Sequence, residues 1–378
     1  MENHRTTTAP SRLRAGFVGA GFMAQVHSRA ARAAGAEVAG IASSSPASAA
    51  RAKDRLGITQ AYPSVQNLIE DDAIDVIHVC TPNATHLAVA EAALAAGKHV
   101  VCEKPLATNV QDAARLVELA ASTGTVATVP FVYRFHPMVR EARERIAAGQ
   151  TGRISSIQGS YLQDWLLSRD DDNWRVDAGL GGPSRAFADI GSHLCDLIEF
   201  VTNDRIARIG AVSRTLFSGR ADHEDVKTED LVAAVFTTDS GTVGNLLVSQ
   251  VAPGRKNRLM IEISGTESTV QFDQEAPETL WLGKRAGSQL LVRDPDALSP
   301  DAARLSVLPA GHPQGYQDAF NAFVADTYAA IGGGSPEGLP TFRDGLRAAV
   351  LTQSILESNT SGHWSEVPNI KQLEGVQQ

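Results

Sequence analysis

Cysteine is scarce in this sequence, and basic residues are outnumbered by acidic ones. Cys80, Cys102 and Cys195 stand far apart in a chain of 378 residues. Their odd number, with no CxxC pair and no Cys/His cluster, gives no sign of a disulfide framework, a zinc site or any other metal centre. Cys80 and Cys102 fall in apolar, strand-like runs, where a free thiol acts as a small hydrophobe. Lys and Arg number 34 against 43 Asp and Glu, and the resulting −9 argues against a nucleic-acid partner. No apolar run approaches the roughly 20 residues of a membrane span, so no membrane partner is expected. There is no internal repeat, and Gly332-Gly333-Gly334-Ser335-Pro336 reads as a loop rather than a domain linker. The polar stretch 1–11 lacks the apolar core of a secretion signal. It is expected to be a short disordered tail on a cytoplasmic protein.

What is present has two characters. The length calls for two domains, expected at 12–132 and 133–378. In the first, apolar strand runs (Leu13–Val18, Val38–Ala42, Ile74–Cys80, His99–Cys102, Thr125–Phe131) alternate with helical stretches ended by glycine. That alternation predicts a doubly wound parallel α/β sheet with right-handed crossovers. After about Tyr133 the period changes to two. Runs between Ile154 and Leu282, with turn signals at Asp239-Ser240-Gly241 and Gly265-Thr266, predict a large, mainly antiparallel open sheet in an α+β domain. Helices are expected at Pro137–Ala148, Ser192–Val201, Tyr316–Ile331 and Thr341–Asn359.

Gly19-Ala20-Gly21-Phe22-Met23-Ala24 follows the first strand and opens a helix. One glycine makes a tight turn, the next admits a pyrophosphate, and the small sixth residue lets helix and strand approach. The pattern predicts a dinucleotide site. At the end of the second strand stand Ser43, Ser44 and Ser45, with neither the acid that binds a ribose hydroxyl nor an adjacent arginine for a 2′-phosphate. NAD is the expected cofactor, and NADP stays open. Glu103-Lys104-Pro105 follows a buried strand and lies where open α/β sheets bind ligands, outside the strands' carboxyl ends. Asp189 and His193, four residues apart, share a face if helical. An N-cap and a packed histidine would account for the same pair. Tyr161-Leu162-Gln163-Asp164-Trp165, and Trp174-Arg175 beyond an acidic run, suit a carbohydrate, whose ring stacks on aromatics while its hydroxyls bond polar groups.

In this order the pieces resemble the glucose–fructose oxidoreductase/inositol dehydrogenase family (Gfo/Idh/MocA), from about Leu13 to Val367. The most specific matches are the glycine motif, Thr81-Pro82-Asn83 with His86, Ala96–Val100 leading into Glu103-Lys104-Pro105, and Asp189 with His193. Within the family, Tyr161–Trp165 is most similar to the levoglucosan-type sugar dehydrogenases. The resemblance implies a catalytic set of Lys104, Asp189 and His193. It implies that Gly19, Gly21, Phe22, Met23, Ser43, Ser44, Thr81, Asn83, His86, Glu103 and Lys104 lie along the cofactor. Tyr133, Arg134, Gln163, Asp164, Trp165, Trp174, Arg175 and Tyr316 are expected with the catalytic set around the substrate, and Val132 stands where the family often has asparagine. A homodimer or homotetramer is expected as well. The implied activity is NAD(P)-dependent hydride transfer from a secondary ring hydroxyl of a sugar, anhydrosugar or inositol. The alternative is an oxidoreductive glycosidase that oxidises the ring, eliminates the aglycone, hydrates and re-reduces, on a glycoside that could be anionic.

Overall fold

Strand β1 (Arg14–Val18) is buried along nearly its whole length, and it forms the centre of a six-stranded sheet. Around it lie β2 (Glu37–Ala42), β3 (Gln60–Ala61), β4 (Val76–Val79), β5 (His99–Cys102) and β6 (Ala127–Thr128), in the order β3-β2-β1-β4-β5-β6. Every pairing is parallel. The order reverses between β1 and β4, which creates a crevice at the strands' carboxyl ends. The computed structural model describes residues 12–370; the tail expected over 1–11 lies outside them. Helices α1 (Phe22–Ala33), α2 (Pro46–Leu56), α3 (Val65–Ile69), α4 (His86–Ala95) and α5 (Val110–Thr123) supply the crossovers. Strand β6 is shorter than the apolar run suggested. Pro130 has no N–H to give, and the Val129 N–H leaves the ladder for the Pro340 carbonyl at 3.3 Å.

Helix α6 (Pro137–Ala147) leads into the second sheet, and α7 (Ala178–Gly181) and α8 (Ser192–Thr202) follow its first strand, β7 (Ile154–Leu162). The other strands are β8 (Ile206–Arg214), β9 (Leu231–Thr238), β10 (Val243–Ser249), β11 (Arg258–Gly265), β12 (Thr269–Asp273), β13 (Thr279–Lys284), β14 (Gly287–Val292) and β15 (Ser365–Glu366). Their order is β14-β13-β12-β11-β7-β10-β9-β8-β15. All neighbours are antiparallel except β7 and β10, which run parallel. Helices α9 (Pro300–Arg304), α10 (Tyr316–Ile331) and α11 (Phe342–Ser361) are the remaining helices among the described residues.

The helices α10 and α11 position the site. Phe320, Phe323 and Val324 of α10 enter one core cluster with Phe17 of β1 and with Ala24 and Ala30 of α1. Leu346 and Val350 of α11 join another with Leu116 of α5. Each half therefore closes its core with residues of the other. The outer face of the large sheet leaves Val212, Val235, Val243, Leu247 and Trp364 exposed. No helix among the described residues is long and apolar enough to cross a membrane.

Candidate active site

Gly19 has φ +112°, and its amide donates to the Ala42 carbonyl at 2.9 Å. A Cβ there would stand 2.4 Å from the Cys80 carbonyl oxygen, so the turn admits only glycine. At Gly21, the N-cap of α1, an added Cβ would meet nothing within 4 Å among the described residues. The amino end of α1 is thus open onto a groove of about 660 Å³. Gly19, Gly21, Phe22, Met23, Ser43, Ser44, Thr81, Asn83, Glu103 and Lys104 line it, with Trp174 and Arg175 on the far side. A groove of this volume, lined from a bare helix N-terminus to Lys104, fits a dinucleotide. His86 is a correction to the cofactor set. Its ring is fully buried, with the two nitrogens 2.8 and 2.9 Å from the carbonyl oxygens of Pro105 and Thr81. It braces the turns behind the groove and does not face it.

At one end the groove meets a second pocket of about 280 Å³, and Phe22, Met23, Glu103, Lys104 and Arg175 line both. Asp189 lies in a π-helical turn, Phe187–Gly191, that runs straight into α8. The turn is tight because residue 191 has no side chain: a Cβ there would sit 2.5 Å from the Phe187 ring. Lys104 Nζ donates to Asp189 Oδ1 at 2.6 Å and to the Asp189 carbonyl at 2.9 Å. Asp189 Oδ2 accepts from Gln250 Nε2 at 2.8 Å, and Arg175 Nε lies 3.5 Å from Oδ1. Burial alone would raise the Asp189 carboxyl, but the Lys104 and Arg175 charges hold it well below the usual carboxylate range. His193 lies edge-on to Phe131 and Tyr133, at 5.6 and 5.1 Å. Burial first, then the Lys104 charge, pushes its imidazole down to about 3, so it is neutral at ordinary pH.

The wall opposite Lys104 is a polar network. Tyr133 and Tyr161 share a hydroxyl hydrogen bond. Asn257 accepts from Tyr161 and from Gln163 Nε2, both at 2.7 Å, and donates to Tyr133 at 3.1 Å. Tyr316 completes the lining. Gln250 and Asn257 carried no sequence signal, since each reaches the site only through sheet register. Four expected substrate residues, Arg134, Asp164, Trp165 and Trp174, do not line this pocket. Arg134 turns inward, pairing with Asp196 and, at 2.7 Å, with Asp344, because a buried guanidinium needs both carboxylates. Asp196 is therefore spent on Arg134 and not on the His193 ring. Asp164 is tied to Lys256 Nζ at 2.7 Å and the Gly254 N–H. Trp165 packs beside Leu166 and Val176 while its Nε1 donates to Gln163 Oε1. Trp174 lines the groove rather than the pocket, with Arg175 stacked on its ring at 4.4 Å.

The buried histidines make a pH prediction. Burial lowers His136 to about 4, His193 to about 3, and His78 as well. The unfolded chain binds protons below about 6.5 that the folded chain does not, so stability present above that pH is lost as pH falls. Asp196, pushed up to about 6 by burial against the pull of Arg134, has the opposite sign but is one group against three. The Tm is expected to fall steadily from pH 7 to pH 4 in scanning calorimetry. A constant or rising Tm over that range would contradict the neutral assignment.

Residues 13–131 match the oxidoreductase family, NAD-binding Rossmann fold, and residues 139–271 match the GFO/IDH/MocA C-terminal domain. The chain is 31% identical to levoglucosan dehydrogenase of Pseudarthrobacter phenanthrenivorans over 391 residues, covering 95% of this chain and 99% of that protein. It belongs to the Gfo/Idh/MocA family. Among solved structures, levoglucosan dehydrogenase in complex with NADH and levoglucosan superposes with TM-score 0.89 at 29% identity, over 95% of this chain and all of that one. An inositol dehydrogenase homolog from Azotobacter vinelandii complexed with NAD+ gives 0.85 at 27% identity, over 94% and 98%. This family of NAD-dependent sugar and inositol oxidoreductases accounts for both the groove and the fold, and NAD is the cofactor.

Proposed function

We propose that the protein is an NAD-dependent dehydrogenase acting on a secondary ring hydroxyl of an anhydrosugar or pyranose, with levoglucosan the first substrate to try. The observation that carries this reading is the junction of groove and pocket at Lys104, with Asp189 and neutral His193 facing the same space. The levoglucosan dehydrogenase relatives support the substrate class.

Bound in the groove, NAD supplies the acceptor for the hydride that leaves the ring carbon. The residues handle the oxygen. Lys104 Nζ, steadied by the two Asp189 oxygens, directs positive charge at the hydroxyl oxygen as negative charge develops there. His193 is in its base form, and its Nδ1 is buried without a partner among the described residues, so Nε2 is the atom to take the hydroxyl proton. Asp189 balances Lys104, and Gln250 and Arg175 fix its carboxylate. Tyr133, Tyr161, Gln163 and Asn257 offer hydroxyl and amide groups to the other sugar hydroxyls.

The oxidoreductive glycosidase is the second reading, and it needs a further base. Burial raises the Tyr133 and Tyr161 hydroxyls above their usual range, which keeps them protonated, and Asp164 is held by Lys256. These observations favour the dehydrogenase. The test is absorbance of reduced nicotinamide from the purified protein with NAD and with NADP, across levoglucosan, inositols, hexoses and glycosides. Substrate-dependent accumulation of reduced cofactor is expected with levoglucosan or a related sugar. Aglycone release without accumulation would replace this reading by the glycosidase.

A further inference from the structure

The chemistry above leaves His27 and His78 unused, although both are fully buried. They are the middle of an unbroken chain of hydrogen bonds. The Tyr328 hydroxyl lies 2.8 Å from His78 Nε2, His78 Nδ1 lies 2.9 Å from His27 Nδ1, and His27 Nε2 lies 2.9 Å from Glu103 Oε1. The four residues come from α10, β4, α1 and the turn after β5. Phe17 stacks on His78 at 4.8 Å, and Phe320 leans on His27 at 4.6 Å, so the chain runs inside an apolar sheath.

With both imidazoles neutral, valence fixes its direction. Glu103 Oε2 accepts the backbone N–H of Lys104 at 3.2 Å, and the Lys104 charge is adjacent, so Glu103 is an ionised acceptor. His27 must then donate through Nε2. A neutral imidazole that donates at one nitrogen accepts at the other. His27 Nδ1 therefore accepts from His78 Nδ1–H, and His78 Nε2 accepts from the Tyr328 hydroxyl. In this direction each ring nitrogen is used once. The reverse direction needs a protonated Glu103 or a doubly protonated His27, and it turns the Tyr328 proton away from the chain.

We propose that Tyr328, His78 and His27 are positioning residues for Glu103, a one-way relay that holds its carboxylate fixed and unprotonated at the nicotinamide end of the groove. The inference rests on the reading that this end, shared with the substrate pocket, takes the nicotinamide. A carboxylate held there is an acceptor suited to the N–H of a carboxamide. Because Tyr328 belongs to α10, the relay also links the packing of α10 on α1 to the cofactor site.

The tautomers are measured first, by long-range proton–nitrogen correlation on 15N-labelled protein without cofactor. His78 is expected to carry its proton on Nδ1 and His27 on Nε2. NAD affinity is then measured by titration calorimetry for Tyr328→Phe, Glu103→Gln and the double variant. Tyr328→Phe keeps the ring and is expected to raise Kd about fivefold, with no further loss when it is added to Glu103→Gln. A His78 proton on Nε2, or a Tyr328→Phe Kd equal to wild type while Glu103→Gln binds weakly, would overturn the relay. An unchanged Kd in Glu103→Gln would overturn the proposal from its other end, by removing the nicotinamide from Glu103 whatever the tautomers.

Discussion

Lys104→Met is expected to lower kcat by about a thousandfold or more, while the Kd for NAD moves by less than about threefold. Methionine keeps most of the length and apolar bulk of lysine and removes only the charge and its donors. Lys104 lines the groove with many other residues, so nucleotide binding loses one contact among many. The reacting oxygen loses the nearest cation, because Arg175 is 3.5 Å from Asp189 Oδ1 and is drawn toward Trp174 and Asn173. Steady-state kinetics and calorimetric NAD titration separate the two effects. Turnover near that of wild type would remove Lys104 from the chemistry.

His193→Asn is expected to cost about a hundredfold to ten-thousandfold in kcat, because the hydroxyl proton then has no base at that position. The pH profile carries the sharper expectation. With its imidazole pushed down to about 3, His193 stays in its base form throughout the working range. Groups facing it include Lys104, Asp189, Glu103, Tyr133 and Tyr161, and the first of these opposes a second positive charge. The wild-type profile of kcat/KM should then show no acid limb near pH 6.5 that disappears in His193→Asn. Such a limb would mean that His193 titrates normally and that its neutral state has been misassigned.

The sequence disclosed those parts of the site that local rules create. The glycine turn, the strand before Lys104 and the span Tyr316–Ile331 were all legible from a few neighbouring residues. Asp189 and His193 were visible as a pair, but the π-helical turn that places Asp189 inside the helix was not. What escaped depends on register between distant segments. Gln250 reaches Asp189 and Asn257 reaches the pocket only because β10 lies parallel to β7 while β11 pairs with β7 from the other side. Arg134 stands two residues from Val132 and was expected at the substrate. Its two carboxylate partners, Asp196 and Asp344, lie far along the chain, and only the fold brings them to it. Strand β14 was missed because it is an exposed edge without alternating apolar residues. The Tyr328–His78–His27–Glu103 chain draws on four separate elements and leaves no local pattern.

Under the proposed function, hydride passes from a ring carbon of the sugar to NAD and stays there. This transfer is tested most directly with levoglucosan deuterated at its ring carbons, by mass spectrometry of the cofactor and sugar recovered after the reaction. One deuterium in the reduced nicotinamide, matched by one equivalent of keto-sugar, is the expected result. Unlabelled, still-oxidised cofactor with levoglucosan, together with aglycone release when a glycoside is supplied instead, would contradict the account.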